Sequence, residues 1–338
     1  MKTVGDIGEF GLIDRIKTIC GQDVAPDVIL GIGDDTAVVR IDDSRALVAT
    51  CDSQVEDVHF RWEAITPFQL GRRALAVNLS DIAAMGGQPQ YALVSLAVPS
   101  SLSAKKFDEF YKGIHATAHE YGVVIVGGNI ARTAKKLVVD VFLWGMVDPA
   151  QMLTRSGAQK GDLIYVTGSL GSAAAGVDVL KRYGPHCSDE FVPIVRAHLE
   201  PRPRVQEGIA IAASGAATSM IDVSDGLAAD LGHVCTASGV GAEIEEVRLP
   251  YDAALLKVAR QEKKDLRAYV LHGGEDYELM FTVRPDGEST IEALAQERGM
   301  VIRRIGRVGS AEDGIVIIDA QGARMPLKAE GWDHFKRE

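Results

Sequence analysis

The chain has 338 residues, of which 46% are hydrophobic and 25% are charged. That apolar share is enough to bury two hydrophobic cores, which excludes a mostly disordered chain. The 36 Lys and Arg against 47 Asp and Glu leave a net charge of −11, which argues against a protein that binds nucleic acid or an anionic membrane through a basic face.

The cellular location is predicted from features that the sequence lacks. The sequence contains no run of about 18 apolar residues, which a membrane span would need. The N-terminal sequence carries Asp6 where a secretory signal needs an apolar run. We therefore expect a cytoplasmic protein with no membrane partner. The four cysteines stand far apart with no C-x-x-C pair, so reduced thiols are expected rather than a zinc site or a disulfide framework.

Short β-branched runs alternate with longer helical segments along the chain, a pattern typical of an α/β or α+β protein. The first half is predicted to contain strands at residues 46–50, 91–98, 123–126 and 137–147. It is also predicted to contain two capped helices, one from Thr66-Pro67 to Gly86-Gly87 and one from Ser103 to Tyr121-Gly122.

A break in this pattern near residues 148–160 predicts the boundary between two domains, 1–150 and 151–338. The second half repeats the alternation. Its predicted strands are residues 163–167, a run that ends in Asp222, and residues 277–283. Its predicted helices lie near 171–183, between the break at 201–204 and Ala213, and from Ser224-Asp225-Gly226 onward, where Ser224 can act as the helix cap.

Six aspartates stand at the ends of predicted elements or on an unusually apolar predicted helix. They are Asp34, Asp35, Asp52, Asp81, Asp222 and Asp225. Each alone has an ordinary explanation as a turn residue, a helix cap or part of a solvated face. Together they form an oxygen-only set of the kind that suits Mg²⁺, which bridges carboxylates to phosphates.

The strongest single signal is the pair Asn78 and Asp81. The two residues are three apart on a helix whose other residues are nearly all apolar, so they share one face. Burying a carboxylate there is costly unless it is paired or binds a metal. The alternative is a single solvated stripe, although a surface helix would carry more Lys and Glu.

The usual phosphate-binding loops are missing. Thr36 stands where a dinucleotide fingerprint beginning at Gly31 needs its third glycine, and the chain has no Gly-Lys pair for a P-loop. Kinase-type H-R-D and D-F-G motifs are also missing. If the chain transfers phosphoryl groups, magnesium must therefore supply most of the charge neutralisation.

Two further segments are candidates for ligand contacts. Gly273-Gly274 lets the backbone approach a ligand closely, and Glu275 and Asp276 follow at once, although this segment also fits an ordinary turn before a strand. His59 stands between Val58 and Phe60, and a histidine in such apolar company is more often structural than functional.

A series of motifs runs in order along nearly the whole chain: EFGLI at 9–13, GIGDD at 31–35, Asp52 with VHF at 58–60, VNLSDIAAMG at 77–86, LTRSGA at 153–158, DVSDGL at 222–227, GGEDY at 273–277 and GWDHF at 331–335. This series resembles the thiamine-monophosphate kinase family. The resemblance implies the two-domain, aminoimidazole-ribonucleotide-synthetase-like α/β (α+β) fold, whose N-terminal domain pairs across a homodimer. It also implies direct in-line phosphorylation of thiamine monophosphate by ATP, with several Mg²⁺ and no phosphoenzyme.

The same resemblance implies a set of site residues. The magnesium ligands are Asp35, Thr50, the Cys51 carbonyl, Asp52, Asp81, Asp222 and Asp225, to which we add Asp34 and Asn129. The expected ATP contacts are Tyr111, Gly128, Asn129, Arg155 and Ser224, and the expected contacts to thiamine monophosphate are His59, Glu275 and Trp332. Asp52, Asp81 and Asp222 are the predicted catalytic residues. Many family members have Asp at the position of Asn129 and Thr at that of Cys51, and the first departure removes one negative charge.

Other functions of the same superfamily fit less well. Selenophosphate synthesis expects a reactive cysteine followed by lysine, whereas Cys20 is followed by Gly21. The hydrogenase-maturation relative expects a C-terminal cysteine, and this chain ends in Glu338. Amidine synthesis of the purine pathway stays open in principle. From a different class, the chain could be a non-catalytic sensor of ATP or thiamine phosphates, which a product assay distinguishes from a kinase.

Overall fold

The structure is a computed structural model that describes residues 3–21 and 25–332. The first half contains α1 (Val4–Ile7), α2 (Glu9–Cys20), β1 (Val28–Leu30), β2 (Ala37–Arg40), β3 (Ala46–Val55), α3 (Pro67–Ala84), β4 (Gln88–Pro99), α4 (Ala104–Tyr121), β5 (Val124–Thr133) and β6 (Val138–Val147). The second half contains β7 (Leu163–Thr167), α5 (Ser172–Tyr183), α6 (Val192–Leu199), α7 (Val205–Ala213), β8 (Ala217–Val223), α8 (Leu227–Ser238), β9 (Gly241–Glu245), α9 (Ala253–Glu262), α10 (Leu266–Val270), β10 (Glu278–Val283), α11 (Glu288–Arg298), β11 (Ile302–Gly309), β12 (Ile315–Ile318) and β13 (Arg324–Pro326).

Each half of the chain builds one mixed sheet. The first sheet has the order β1-β2-β3-β6-β4-β5, and the second has the order β13-β12-β9-β11-β7-β10-β8. Neighbouring strands are antiparallel except for the parallel pairs β4–β5 and β9–β12. The predicted α/β (α+β) fold class is confirmed by these two sheets and their covering helices.

Helix α3 lies at the centre of the molecule. Thr66 and Gln69 form a capping box, and Pro67 occupies the first turn. The helix packs on β3 and β6 of the first sheet, and it also contacts β8 and α7 of the second half. Thirteen of its 18 residues are buried because both sides are covered, which explains the shortage of charged residues that the sequence shows there.

The close approach of α3 to α4 depends on one glycine in each helix. A Cβ on Gly71 would lie 2.0 Å from the Phe110 carbonyl oxygen, and one on Gly113 would lie 2.0 Å from the Phe68 carbonyl oxygen. The backbones of α3 and α4 therefore touch, and this contact holds α3 against the first sheet.

Three predicted boundaries differ from the structure. The strand predicted at 46–50 continues as β3 to Val55, so Asp52 lies within the strand and not at its end. The strand predicted at 123–126 continues as β5 to Thr133, because Gly127 and Gly128 stay extended with φ of 159° and 157°. The helix predicted from Ser224 begins at Leu227, and Ser224 does not cap it. The Asp230 carboxylate instead accepts hydrogen bonds from the backbone N–H groups of Asp225 and Gly226, at 3.2 and 3.1 Å.

Within the part of the chain that the structure describes, no helix combines the length and the apolar character that crossing a membrane requires.

Candidate active site

Strand β3 and helix α3 place three predicted ligands side by side. The Thr50 hydroxyl donates to Asp81 Oδ2 at 2.5 Å, and the Asp52 backbone N–H donates to Asn78 Oδ1 at 3.0 Å. Thr50 and Asp52 both point toward α3 because side chains two apart lie on the same face of a strand. Cys51 points to the opposite, exposed face, so it can offer only its carbonyl to this group.

The second half of the chain supplies Asp222 from β8. The Ser80 hydroxyl donates to Asp222 Oδ2 at 2.6 Å, and both residues are buried. Burial raises the pKa of Asp81 well above its usual value, and the charges of Asp52, Asp222 and Asp35 raise it further. Acids that lie far apart in the sequence thus meet beside α3.

Arg155 joins the Asp34-Asp35 loop to this cluster. Its backbone N–H donates to Asp34 Oδ2 at 3.2 Å, and its Nε donates to Asp35 Oδ1 at 3.0 Å, with Nη2 in closer contact with the same oxygen. The other carboxylate oxygen of Asp35, Oδ2, is buried and has no hydrogen-bond partner within residues 3–21 and 25–332. Burial also raises the pKa of Asp34, against the lowering effect of the Asp35 N–H and of Arg155.

The electrostatics show that one arginine does not balance these acids. Burial raises the pKa of Asp35 to about 8 despite Arg155, with the charges of Asp222 and Asp34 adding to the effect. Burial likewise raises the pKa of Asp222 to about 6, although the hydrogen bond from Ser80 opposes the shift. Like charges are therefore held together in a buried site, which is a common feature of functional sites.

The donor set fits magnesium. Its side chains offer only oxygen, the ligand type that Mg²⁺ prefers, and Asp35 Oδ2, which has no hydrogen-bond partner among the described residues, is open to a cation. A second candidate metal group adjoins it: Asp225, Asp230 and His233 each offer a ligand atom, and these atoms lie within 4.8 Å of one another. Asp230 already accepts two backbone N–H groups, so the first cluster is the better fit.

Glu275 lies in the segment that precedes β10 of the second half, where that half packs against α3 of the first. Its Oε1 accepts a hydrogen bond from Nη2 of the fully buried Arg73, and its Oε2 lies 3.0 Å from His198 Nδ1. Burial alone would raise the pKa of Glu275, but Arg73, His198 and the nearby His59 lower it to about 2. His59 Nδ1 accepts the Val55 backbone N–H at 3.0 Å, so this histidine has a structural bond as well as a position beside Glu275.

The last two described residues also reach the site. The Trp332 backbone N–H donates to the Asp225 carbonyl at 3.1 Å, and the Trp332 side chain stays about half exposed. The predicted motif continues through Asp333, His334 and Phe335, which lie outside the described residues.

Three predicted ATP contacts are not brought to the acids within one chain. Gly128 and Asn129 lie on β5, three strands from β3 and so about 14 Å away at the usual spacing of ~4.8 Å. Strand pairing places Asn129 in a row with Ser95, Asp140 and Ser53, on the sheet face opposite α3. Tyr111 lies on α4, where its ring is 5.0 Å from that of Phe107.

Sequence reasoning missed several residues of the site. They are Arg73, Ser80, His198, Asp230 and Tyr277. The available signal was a polar residue on a mostly apolar helix: Arg73 follows Arg72, Ser80 stands between Asn78 and Asp81, and Asp230 lies in the first turn of α8. Tyr277 ends the GGEDY motif, which gave it no role of its own. Burial raises the pKa of its phenol well above the usual value, and Glu275 raises it further.

Comparison with known families assigns both halves of the chain. Residues 33–147 match the family described as AIR synthase related protein, N-terminal domain, and residues 159–319 match the corresponding C-terminal domain. A thiamine-monophosphate kinase of Bacillus subtilis (strain 168) is 37% identical over 330 residues, covering 97% of this chain and 99% of the relative. One from Escherichia coli (strain K12) is 36% identical over 333 residues, covering 97% and 98%.

A solved structure agrees with these relatives. The structure described as "AaThiL complexed with AMPPCP and TMP" superposes with a TM-score of 0.84 at 33% identity, covering 99% of both chains. At this coverage the match includes both sheets. On the strength of its two matching domains and its near full-length relatives, the chain belongs to the thiamine-monophosphate kinase family.

Proposed function

We propose that this chain is an enzyme that transfers the γ-phosphoryl group of ATP to thiamine monophosphate, giving ADP and thiamine diphosphate. The observation that carries the proposal is the cluster between the two halves of the chain that is formed by buried Asp35 and Asp222 with half-buried Asp81. A polyanionic nucleotide and an anionic acceptor can meet there only through cations. Because the reaction consumes ATP, we place it in the cytoplasm.

Magnesium ions would be held by the carboxylates of Asp35, Asp81 and Asp222, with Thr50 and Asp52 beside them. When bound, such ions neutralise phosphate charge and align the two phosphates. Asp34 and Asp225 stand at the margins of the cluster and would serve further ions. The Cys51 carbonyl completes the proposed ligand set within one chain, and the amide oxygen of Asn129 is proposed to join a metal site only through pairing with a second copy.

The protein groups around the cluster would hold the two substrates. Arg155 can fork onto phosphate oxygens, and Ser224 lies beside Asp225 at the end of β8. Trp332 can stack on a heteroaromatic ring, while Glu275 and His59 face the substrate's pyrimidine. No general base is required, because the attacking phosphate oxygen is already ionised near neutral pH, with a second pKa of ~6. Alignment and charge stabilisation then supply the catalysis.

The direct test is a product assay. The purified chain with ATP, Mg²⁺ and thiamine monophosphate is expected to yield equal amounts of ADP and thiamine diphosphate, and a chelator is expected to stop both. A panel of other phosphorylated acceptors serves as the control for substrate class. Heat of binding without product would instead identify a sensor of these ligands and would overturn the proposed enzyme.

We also propose that the chain forms a homodimer through the first sheet. On the face opposite α3, Tyr91, Leu93, Val124 and Phe142 are 36–55% exposed, and β5 leaves one strand edge unpaired. Apolar patches and open strand edges are typical of protein interfaces. Pairing through this face would bring Gly128 and Asn129 of one copy toward a second copy, which would account for their distance from the acids of their own chain.

The dimer makes a testable prediction. Light scattering is expected to give about twice the chain mass of 36.2 kDa, and Leu93→Asp with Phe142→Asp is expected to give monomers with strongly reduced activity. Val247→Asp, at a 69% exposed apolar residue of the second half, is the matched control and should remain dimeric. A fully active monomer would contradict the proposal.

A further inference from the structure

The starting observation is a buried arginine. Arg73 on α3 is fully buried and donates to three acceptors: Nε to Gln54 Oε1 at 3.1 Å, Nη1 to the His198 carbonyl, and Nη2 to Glu275 Oε1. Gln54 belongs to the first sheet, whereas His198 and Glu275 belong to the second half of the chain. An arginine is kept buried only where its planar donors are matched by acceptors, as they are here.

These partners fix the Glu275 carboxylate without occupying all of its hydrogen-bond acceptor positions. One oxygen accepts from Arg73 and the other from the His198 ring at 3.0 Å, yet its side chain is 28% exposed. Each carboxylate oxygen has two acceptor positions. The carboxylate therefore keeps acceptor capacity on its exposed side while its buried side is fixed.

The backbone around Glu275 is fixed as well. Glu275 and Tyr277 have φ of 69° and 50°, a left-handed conformation that non-glycine residues adopt at a cost. The Glu275 N–H donates to the Ser224 carbonyl at 2.7 Å, and the Tyr277 N–H donates to the Val223 carbonyl at 2.9 Å. The segment that carries Glu275 is thus tied to the end of β8, which also carries Asp222.

We propose that Arg73 and His198 are positioning residues that hold the Glu275 carboxylate as a hydrogen-bond acceptor for the amino group of the substrate's pyrimidine ring. This inference rests on the proposed function. Arg73 and His198 act through Glu275 and do not contact the substrate. They also set its chemistry: the pKa of Glu275 is lowered to about 2 although burial alone would raise it. An ionised carboxylate can only accept hydrogen bonds, so it selects an amino group over a carbonyl oxygen.

The experiment compares two acceptors, thiamine monophosphate and its analogue in which a carbonyl oxygen replaces the pyrimidine amino group. The measured quantity is the ratio of their kcat/KM values. In Arg73→Met, Glu275 loses its charged partner, binds a proton and becomes able to donate, so the ratio is expected to fall about 10- to 100-fold. Glu275→Gln, which also introduces a donor, is expected to shift the ratio in the same direction.

Conservative variants separate positioning from a general structural role. Arg73→Lys keeps a positive partner and His198→Asn keeps a donor, so both are expected to retain most of the preference. His198→Leu, which keeps Arg73, is expected to lower it, and this variant covers the case in which Arg73→Met does not fold. A ratio that stays at the wild-type value in folded Arg73→Met and in His198→Leu would overturn the inference, even if both variants turn over more slowly. A wild-type chain that makes no thiamine diphosphate would instead overturn the proposed function.

Discussion

Replacing Asp81 by Asn is expected to lower kcat/KM at limiting Mg²⁺ by about 100- to 1,000-fold, the range seen when one preorganised charge-stabilising group is removed. The substitution keeps the shape of the side chain and an oxygen for the Thr50 hydroxyl, which lies 2.5 Å from Asp81. It removes the negative charge that we propose holds magnesium against the phosphates. Turnover assays across a magnesium titration measure the effect.

The same substitution is expected to leave the metal-free protein at least as stable as the wild type. Burial and the charges of Asp52, Asp222 and Asp35 raise the pKa of Asp81, so a neutral amide relieves repulsion in the cluster. Loss of activity with an unchanged or higher melting temperature therefore separates a metal-binding role from a folding defect. Asp108→Asn, at an exposed position on α4, is the matched control. Wild-type turnover of Asp81→Asn at limiting Mg²⁺ would count against the metal site.

The metal-free protein is expected to lose thermal stability as the pH rises from 5 to 8. Burial raises the pKa of Asp35 to about 8 and that of Asp222 to about 6, from an ordinary 3.8. Between the ordinary and the raised values the folded chain keeps protons that the unfolded chain has released. Stability must then fall as the pH rises through this window. We expect a decrease in melting temperature of roughly 5 °C or more.

Magnesium is expected to reverse most of this decrease, and to raise the melting temperature more at pH 8 than at pH 5. The ion binds the ionised carboxylates, which are more abundant at the higher pH. Part of the fall should persist, because burial also raises the pKa of Asp276 to about 8 and its carboxylate faces the N-terminus of α5 instead. Thermal melts with chelator or MgCl₂ measure this, and Asp35→Asn with Asp222→Asn should flatten the pH dependence. An equal magnesium effect at both pH values would contradict the prediction.

The composition of the site could be predicted better than its arrangement. The sequence predicts Asp35, Asp52 and Asp222 as part of an oxygen-only set at the ends of predicted elements, and it predicts Asp81 because a carboxylate on an apolar helix is costly without a partner or a metal. The same reasoning treated Ser224 as a helix cap, whereas Asp230, one turn into α8, binds the N–H groups that precede the helix. Several side chains compete for the same backbone donors, and only their packed positions decide which one binds.

Arg73 illustrates the limit most clearly. In the sequence it is the second of two adjacent arginines, Arg72 and Arg73, on a mostly apolar helix, and nothing near it in the chain distinguishes it from Arg72 or identifies its partners. Its acceptors come from positions 54, 198 and 275, which meet only after the second half of the chain has packed on α3. Asn129 shows the converse, because its motif suggests a ligand but the strand order places it on the opposite face of the first sheet.

The amino-acid sequence by itself determined where most helices and strands lie, which acids are unusual and which family the motifs resemble. These features depend on neighbouring residues, through side-chain periodicity, capping groups and the cost of burying charge. Only the tertiary structure decided that the carboxylates of Asp35, Asp81 and Asp222 come together and that Arg73 holds Glu275. It also decided that Asp35 Oδ2 has no hydrogen-bond partner in the described part of the chain. Those properties arise from contacts between the two halves of the chain. The distances and the burial at such contacts are set only when the halves pack together.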